Sequence, residues 1–311
     1  MRRFISVPLV FLVAAIALIT APLALLLSFL LAFKPSLRAL PRMTAFVLIF
    51  ALLEVVALAR LAWVRLRYFD AKARLAKNYG VQRWWGKSLL SIGTWLYQLS
   101  FTVSGEDALT GPSAILVARH ASVGDNVLPL VYFGIARHEP LRYILKKGLT
   151  WLPSLDFGGH SLPNLFVDRS GSDTASELDA VAALLSEAAE SDSLLIYPEG
   201  TRFSAAKQRH LAKKPEMASQ VARWPDLLPP RLGGITRLLE INPGKDMVFL
   251  CHTGFEGAAA IPDLANGGWV KQHIRIYFWR VPFDEIGADH RAFIFDQWDR
   301  MQAELLQLRA Q

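Results

Sequence analysis

The stretch AILVARHASVGD, residues 114–125, decides the fold. Its first five residues, 114–118, form a short apolar run, which is typical of a buried strand. The run leads straight into His120, and a turn of mainly small residues follows as far as Asp125. In open α/β sheets ligands gather where strands end in this way. The stretch therefore predicts a buried strand with a candidate functional site at its carboxyl end.

The same alternation of strand and helix continues downstream. Together these segments predict an α/β fold with a mostly parallel sheet flanked by helices. The predicted helix SDTASELDAVAALLSEAAES can be capped by Ser172, Asp173 or Thr174. The other predicted helices are NVLPLVYFGIA and about 289–308, and the predicted strands are LRYIL, NLFV, SLLIY, MVFLCH and HIRIYFW.

Two apolar runs open the chain. Phe4–Phe33 contains no charged residue, and Thr44–Trp63 carries only Glu54 and Arg60. A helix over the first run would measure roughly 45 Å, more than the roughly 30 Å hydrocarbon core of a bilayer. We therefore predict an N-terminal two-helix membrane-anchoring motif in residues 1–70 and a second domain in residues 71–311. A signal peptide is the alternative for the first run, and a buried or in-plane helix for the second.

The charges that flank these runs predict their orientation. Basic residues dominate both outer flanks, with Asp70 as the only acid among residues 60–77, which places the flanks on the cytoplasmic side. The loop between the runs is also basic, so two crossings and a hairpin that enters and returns both stay open. The basic residues are Arg2 and Arg3; Lys34, Arg38 and Arg42; and Arg60, Arg65, Arg67, Lys72, Arg74 and Lys77.

The composition excludes several classes of site. Cys251 is the only cysteine, so neither a disulfide framework nor a cysteine-based structural zinc site is predicted. The remaining histidines lack metal-ligand spacing, and we predict no metal. His252, beside that cysteine, is interpreted as a core histidine at a strand end in preference to part of a Cys/His site. The formal charge of +7 suits an anionic membrane surface or a phosphate-bearing substrate; the apolar start argues against nucleic acid.

His120 and Asp125 are the candidate catalytic pair. Five residues apart on a helix, they would point about 140° away from each other. At a strand-to-helix turn the carboxylate can instead reach back, fix the tautomer of the imidazole and favour its protonated form. Such a histidine is a general base for a hydroxyl, which the substrate can supply. Ser122 is small and leaves the turn open. A purely structural pair is the alternative.

A second polar stretch, LFVDRS, follows the predicted strand NLFV. Arg169 stands directly after this strand and could bind a phosphate through two hydrogen bonds. A salt bridge with Asp168 or Glu177 is the alternative.

A third stretch, YPEGTRFS, follows the predicted strand SLLIY. Gly200 lets the backbone turn, Thr201 and free N–H groups can donate to phosphate oxygens, and Arg202 adds a guanidinium. Glu199 could orient Arg202 or the substrate. The alternative is a plain turn with a local Glu–Arg pair.

The three stretches together resemble the glycerolipid acyltransferase family, the 1-acylglycerol-3-phosphate and lysophospholipid acyltransferase group. That family is marked by the blocks N-H-x-x-x-x-D, G-x-x-F-I-D-R and F-P-E-G-T-R-S, in this order. Here they are RHASVGD, NLFVDRS and YPEGTRFS. The similarity covers about residues 103–251, and RWWGKSLL upstream resembles the family's entry helix. The resemblance implies an acyltransferase domain in residues 71–311, anchored by the two N-terminal helices.

The resemblance also implies a reaction. An acyl chain would move from a thioester, acyl-CoA or acyl carrier protein, to the free hydroxyl of 1-acylglycerol-3-phosphate, a membrane lipid. His120 would be the base and Asp125 would orient it. No cofactor would be needed beyond the thioester co-substrate. The acceptor's phosphate would be held by Arg169 and Arg202, in a pocket shaped by Glu199, Gly200 and Thr201.

Departures from the family pattern leave the acceptor open. Arg119 replaces the usual asparagine before the histidine, and Phe203 stands where many members have serine. Arg119 could reach a second phosphate or a bulkier headgroup, or be a surface or interface charge. The tail LLPPRLGG, with Pro230 and Arg231, resembles a branch that includes lysocardiolipin acyltransferases. The alternatives are another lysophospholipid as acceptor, a membrane lipid hydrolase with the same His–Asp pair, or a non-catalytic lipid-binding module.

Overall fold

The computed structural model describes residues 2–167 and 174–311. Within them, the helices are α1 (Arg2–Leu31), α2 (Leu40–Arg67), α3 (Ala71–Tyr97), α4 (Pro153–His160), α5 (Thr174–Ser186), α6 (Ala205–Ala212), α7 (Pro215–Arg223), α8 (Leu232–Glu240) and α9 (His290–Ala310). The strands are β1 (Ser100–Ser104), β2 (Ala114–Ala118), β3 (Leu141–Lys146), β4 (Leu165–Val167), β5 (Ser193–Ile196), β6 (Asp246–Thr253) and β7 (His273–Val281). The predicted helix after β2 is a π-helix, Pro129–Ile135.

The chain divides into two compact units. The first contains residues 2–99, 144–167 and 262–271, and the second contains residues 100–143, 174–261 and 272–311. This division differs from the predicted boundary at residue 70, because α3 packs on α2. Trp85 of α3 donates a hydrogen bond to Glu54 of α2 over 3.3 Å. Val81 joins Leu61 and Val64 in one buried cluster.

Two helices of the first unit are long and apolar enough to cross a membrane. The segments are Arg2–Leu31 and Pro35–Arg67, judged by length and composition. In the most apolar part of each segment, only 6% of the residues of the first and 28% of the residues of the second are buried. Core helices of a globular protein are mostly buried. Large side chains such as Phe4 and Ile19, 86% and 80% exposed, point outward. The two apolar helices predicted from the sequence are therefore present.

Both ends of this α1–α2 hairpin are held within the first unit. Arg2 and Arg3 each place a guanidinium nitrogen 2.7 Å from the buried carboxylate of Asp156 on α4. At the turn between the helices, Arg38 Nε donates to the carbonyl of Asn266 over 2.8 Å. In the same unit the second half of β3 pairs in parallel with β4.

The sheet of the second unit has the strand order β1-β7-β6-β2-β5-β3, in which β3 contributes its first half. All neighbours are parallel except β6 and β7, so the α/β, mostly parallel fold is confirmed. Strand β1 was not predicted. It lies at the edge of the sheet, and its side chains alternate between exposed and half-buried.

The core of the second unit is built around β2. All five of its residues are fully buried, since β5 and β6 flank it and helices cover the sheet. The ring of Phe249 on β6 stacks on Trp279 of β7 with centroids 5.1 Å apart. Because β2 and β5 are adjacent and parallel, the segments that leave their carboxyl ends lie side by side. Those segments are the first and third polar stretches of the sequence.

Candidate active site

His120 lies two residues beyond the end of β2. Its Nδ1 is 3.2 Å from Oδ2 of Asp125, and the side chains are 15% and 1% exposed. The imidazole ring also packs on Tyr197, with ring centroids 4.6 Å apart. The turn after the strand thus brings the predicted pair together, and the opposite ring nitrogen, Nε2, is directed away from the carboxylate.

The turn itself wraps the Asp125 carboxylate. Oδ2 accepts hydrogen bonds from the backbone N–H groups of Ala121 and, over 2.6 Å, Ser122. Burial raises the pKa of Asp125, but the charge of His252 and the hydrogen bond and charge of His120 outweigh it, so the pKa lies well below its ordinary value. Asp125 is therefore ionised and fixed in place before any ligand binds.

His252 is a second imidazole on the same carboxylate. On β6, it is fully buried, and its Nε2 lies 3.2 Å from Asp125 Oδ1, within ion-pair distance but without hydrogen-bond alignment. The core position predicted for His252 is correct, but its contact with Asp125 was missed. The sequence places His252 at the end of the predicted strand MVFLCH, but only the structure shows that this strand pairs with β2.

Glu199 connects the third polar stretch, YPEGTRFS, to the first through hydrogen bonds. Its Oε1 accepts from the backbone N–H of His120 over 2.6 Å, and its Oε2 accepts from that of Leu228 over 3.0 Å. Both oxygens are occupied, so the predicted pair with Arg202 is not formed. The backbone N–H of Phe203 adds a hydrogen bond of 2.6 Å to the carbonyl of His120. Glu199 therefore fixes the backbone that carries the candidate base.

The burial of Glu199 predicts a pH-dependent stability. Desolvation, only partly opposed by its hydrogen bonds and by the charge of Arg119, raises the pKa of Glu199 to about 7 from 4.5. The folded state therefore binds an extra proton between these values, and its free energy of unfolding falls as the pH rises through that window. We expect Tm measured from pH 4.5 to 7 to fall more steeply in wild type than in Glu199→Gln. Parallel curves would contradict the assignment.

Position 200 requires a glycine for two reasons. Its φ is +69°, a left-handed conformation that residues with a Cβ rarely adopt. A Cβ there would also lie 2.8 Å from Cδ of Arg231. The Arg231 backbone N–H donates to the carbonyl of Pro198 over 2.8 Å, which holds this arginine against the turn. Arg231 of the LLPPRLGG tail therefore lies beside the third stretch.

Three cations surround this turn: Arg202, Arg231 and Lys207. Lys207 was not singled out in the sequence; its Nζ donates to Thr201 Oγ1 over 2.8 Å and to the carbonyl of Arg202 over 2.7 Å. Burial and the nearby charge of Arg202 lower the pKa of Lys207. Among the side chains that the structure describes, those of residues 2–167 and 178–311, neither Arg202 nor Arg231 has a carboxylate within ion-pair distance. The turn therefore presents uncompensated positive charge.

Ser122 and Arg119, which flank His120 in the first stretch, have structural roles. Ser122 is fully buried, and its hydroxyl donates to the carbonyl of Ala258 over 2.8 Å. Arg119 is also fully buried: its Nη1 binds Glu256 over 2.7 Å and donates to the carbonyl of His252. Both interpretations of Arg119, as a phosphate ligand or a surface charge, need an exposed guanidinium and are wrong for this structure. Burial works against ionisation of Glu256, but Arg119 lowers the pKa of Glu256 to about 2.

Arg169 and Asp168 lie outside the described residues, so their predicted roles stay predictions. Pro230, beside Arg231, is buried. Where side chains are described, no group of three or more His, Cys, Asp or Glu residues could hold a metal ion.

Comparison with known proteins identifies the class of this site. Residues 100–233 match the family model described as Acyltransferase, which spans the His120–Asp125 pair and the basic turn. Residues 100–233 therefore carry an acyltransferase domain, which agrees with the acyltransferase activity that the sequence resemblance implies. The protein is an acyltransferase.

The fold is similar to that of a solved acyltransferase. The 1-acyl-sn-glycerophosphate (LPA) acyltransferase PlsC from Thermotoga maritima superposes with a TM-score of 0.60 at 14% identity, over 87% of this chain and 98% of that chain. This likeness includes most of the chain, and it establishes the fold. A comparison with curated protein sequences gives no match.

Proposed function

We propose that this acyltransferase moves a fatty acyl chain from acyl-CoA or acyl carrier protein to the free hydroxyl of 1-acylglycerol-3-phosphate, which makes phosphatidic acid. The observation that carries the proposal is the His120–Asp125 pair at 3.2 Å, beside a turn with uncompensated guanidinium groups. The acceptor fits because it combines a hydroxyl with a phosphate. The name of the similar Thermotoga protein supports the same choice.

The chemical step needs one base and no metal. Nε2 of His120 takes the proton of the acceptor hydroxyl while its oxygen attacks the thioester carbonyl carbon. The C–S bond then breaks, and the imidazolium returns the proton to the leaving thiolate. Asp125 stabilises the imidazolium through Nδ1, as in hydrolytic triads. Arg202 and Arg231 bind the phosphate and orient the hydroxyl toward His120, and Arg169 is proposed to join them.

The two N-terminal helices would anchor the protein in a membrane, with the catalytic residues on the cytoplasmic face. The outward apolar side chains of α1 support the anchor. A hairpin that enters and returns is favoured over two complete crossings, because its first residues and its turn both bind other parts of the first unit. The basic residues that flank the hairpin support the cytoplasmic side.

An acceptor screen tests the proposal. Purified full-length protein in detergent would be given labelled acyl-CoA and a panel of lysolipids, with the products resolved by mass spectrometry. We expect 1-acylglycerol-3-phosphate to be the best acceptor. A preference for lysocardiolipin would change the proposed acceptor but leave the proposed acyl-transfer step unchanged. Release of free fatty acid without any lysolipid would indicate a hydrolase, and lysolipid binding without turnover would indicate a binding module.

Glu199→Gln tests the link between the third stretch and the base. Glutamine offers one acceptor oxygen where Glu199 accepts two backbone N–H groups, so either His120 or Leu228 loses its partner. We expect kcat to fall roughly 10- to 100-fold, because displacing a catalytic group by about 1 Å costs that much. Steady-state kinetics of this variant beside the exposed Glu216→Gln would check it. Equal kcat in the two variants would contradict the bridging role.

A further inference from the structure

A groove lies between α2 and α3, wholly within the first unit. Its volume is 540 Å³, within the range of sites that hold small molecules. Most of its lining is aliphatic, with Val55, Val64 and Val81 among the residues. Two of the lining residues, Arg60 from α2 and Lys77 from α3, are cations.

Both cations are held by aromatic rings. Cζ of Arg60 lies 3.9 Å from the ring centroid of Trp84, and Nζ of Lys77 lies 5.4 Å from that of Tyr68. In the part of the chain that the structure describes, neither cation has a carboxylate within 4.0 Å. A cation–π contact holds a cation in place, and the neutral ring supplies no formal negative charge. The groove therefore combines an apolar lining with two fixed, unneutralised positive charges.

The surroundings of the groove favour a lipid. Large apolar side chains near it are exposed: Trp63 by 64%, Leu66 by 71% and Phe69 by 81%. Asp70, the acid between α2 and α3, accepts the N–H of Ala73 as the cap of α3. An occupant that matches this surface has a hydrocarbon chain and an anionic head.

We propose that the groove is a binding site for one anionic phospholipid of the membrane. One acyl chain lies between α2 and α3, and the lipid phosphate lies between Arg60 and Lys77. This lipid is not consumed; it holds α2 against α3 and attaches the first unit to an anionic bilayer. The site consists of residues outside the catalytic group and does not depend on which lysolipid is the acceptor.

The apolar part of the site is tested at Gly80, a groove residue of α3. A Cβ at this position meets no heavy atom within 4 Å, so Gly80→Leu places a side chain in the groove without a clash at its first carbon. Replacing a helical glycine also favours the helix, so unfolding would not explain a loss of lipid. The control is Ala76→Leu, which adds the same side chain at an exposed position of α3 outside the groove.

The charged part is tested by two double variants with equal loss of charge. Arg60→Gln with Lys77→Gln removes the groove cations. Arg65→Gln with Lys72→Gln removes two exposed cations that do not line the groove. Full-length protein, stripped of lipid in detergent, would be mixed with phosphatidylglycerol or phosphatidylcholine of the same chains and examined by native mass spectrometry.

We expect one bound phosphatidylglycerol, favoured at least tenfold over phosphatidylcholine. Its occupancy should fall at least tenfold in Gly80→Leu and in the groove double variant, and stay unchanged in both controls. Equal binding of the two lipids would overturn the proposal, as would equal losses in the two double variants. Displacement of the lipid by millimolar inorganic phosphate would also overturn it, because the groove would then be a site for the free anion.

Discussion

His120→Ala is expected to abolish acyl transfer while the protein stays folded. A general base contributes roughly 10²- to 10⁴-fold, and His120 is the base that the proposed step uses, so we expect kcat/KM to fall about 10³-fold. The fold should survive, since His120 is partly exposed and its backbone, which Glu199 and Phe203 bind, is unchanged.

The measurement is product formation from acyl-CoA and 1-acylglycerol-3-phosphate by purified protein, with Tm recorded alongside. His210→Ala is the matched control, because His210 is an exposed histidine of α6 in the same unit. We expect the control to keep full activity. Acyl transfer by His120→Ala within tenfold of wild type would remove His120 from the mechanism.

Asp125→Asn is expected to lower kcat about as strongly, roughly 10³-fold, with little change in KM. Oδ2 of Asp125 meets three groups: His120 Nδ1 and the N–H groups of Ala121 and Ser122. The asparagine oxygen can take this place, and its amide then faces Nε2 of His252. The turn therefore keeps its shape while the negative charge that stabilises the imidazolium is lost.

Steady-state kinetics of Asp125→Asn beside the exposed Asp284→Asn would check this. Little change in Tm together with a large loss of kcat is the expected result. Ser122→Ala removes a buried structural hydrogen bond of the same turn. If the losses of Tm and of kcat in Asp125→Asn matched those in Ser122→Ala, Asp125 would be a structural residue of the turn.

The strands of this fold were largely predictable, and two features of the sheet were not. Strands in the interior of a sheet appear in the sequence as short apolar runs. Such runs predict β2, β3, β4, β5, β6 and β7. Strand β1 alternates between exposed and half-buried side chains at the sheet edge and gives a weak signal. The antiparallel pairing of β6 with β7 depends on the path of the chain between them, which apolar runs do not encode.

In the candidate site, too, the sequence predicts local contacts but not those between distant segments. His120 and Asp125 meet across a local turn, so their spacing was informative. Glu199 binds the backbone of His120, 79 positions away, and His252 reaches Asp125 from another strand. Neither contact follows from spacing, because each depends on which strands are neighbours. Arg202 and Glu199 are close in sequence, yet the carboxylate turns inward and the predicted pair does not form.

The inward guanidinium of Arg119 has a practical consequence for redesign. A sequence pattern that requires asparagine before the histidine would count Arg119 as a change in the active site. In the structure this side chain is buried and forms an ion pair with Glu256. Libraries intended to change headgroup preference should therefore randomise Arg202, Lys207 and Arg231 and leave Arg119 fixed. Exchanging Arg119 for asparagine would leave Glu256 with only the more distant Arg309, at 3.4 Å, as its cationic partner, and is expected to reduce yield without informing on selectivity.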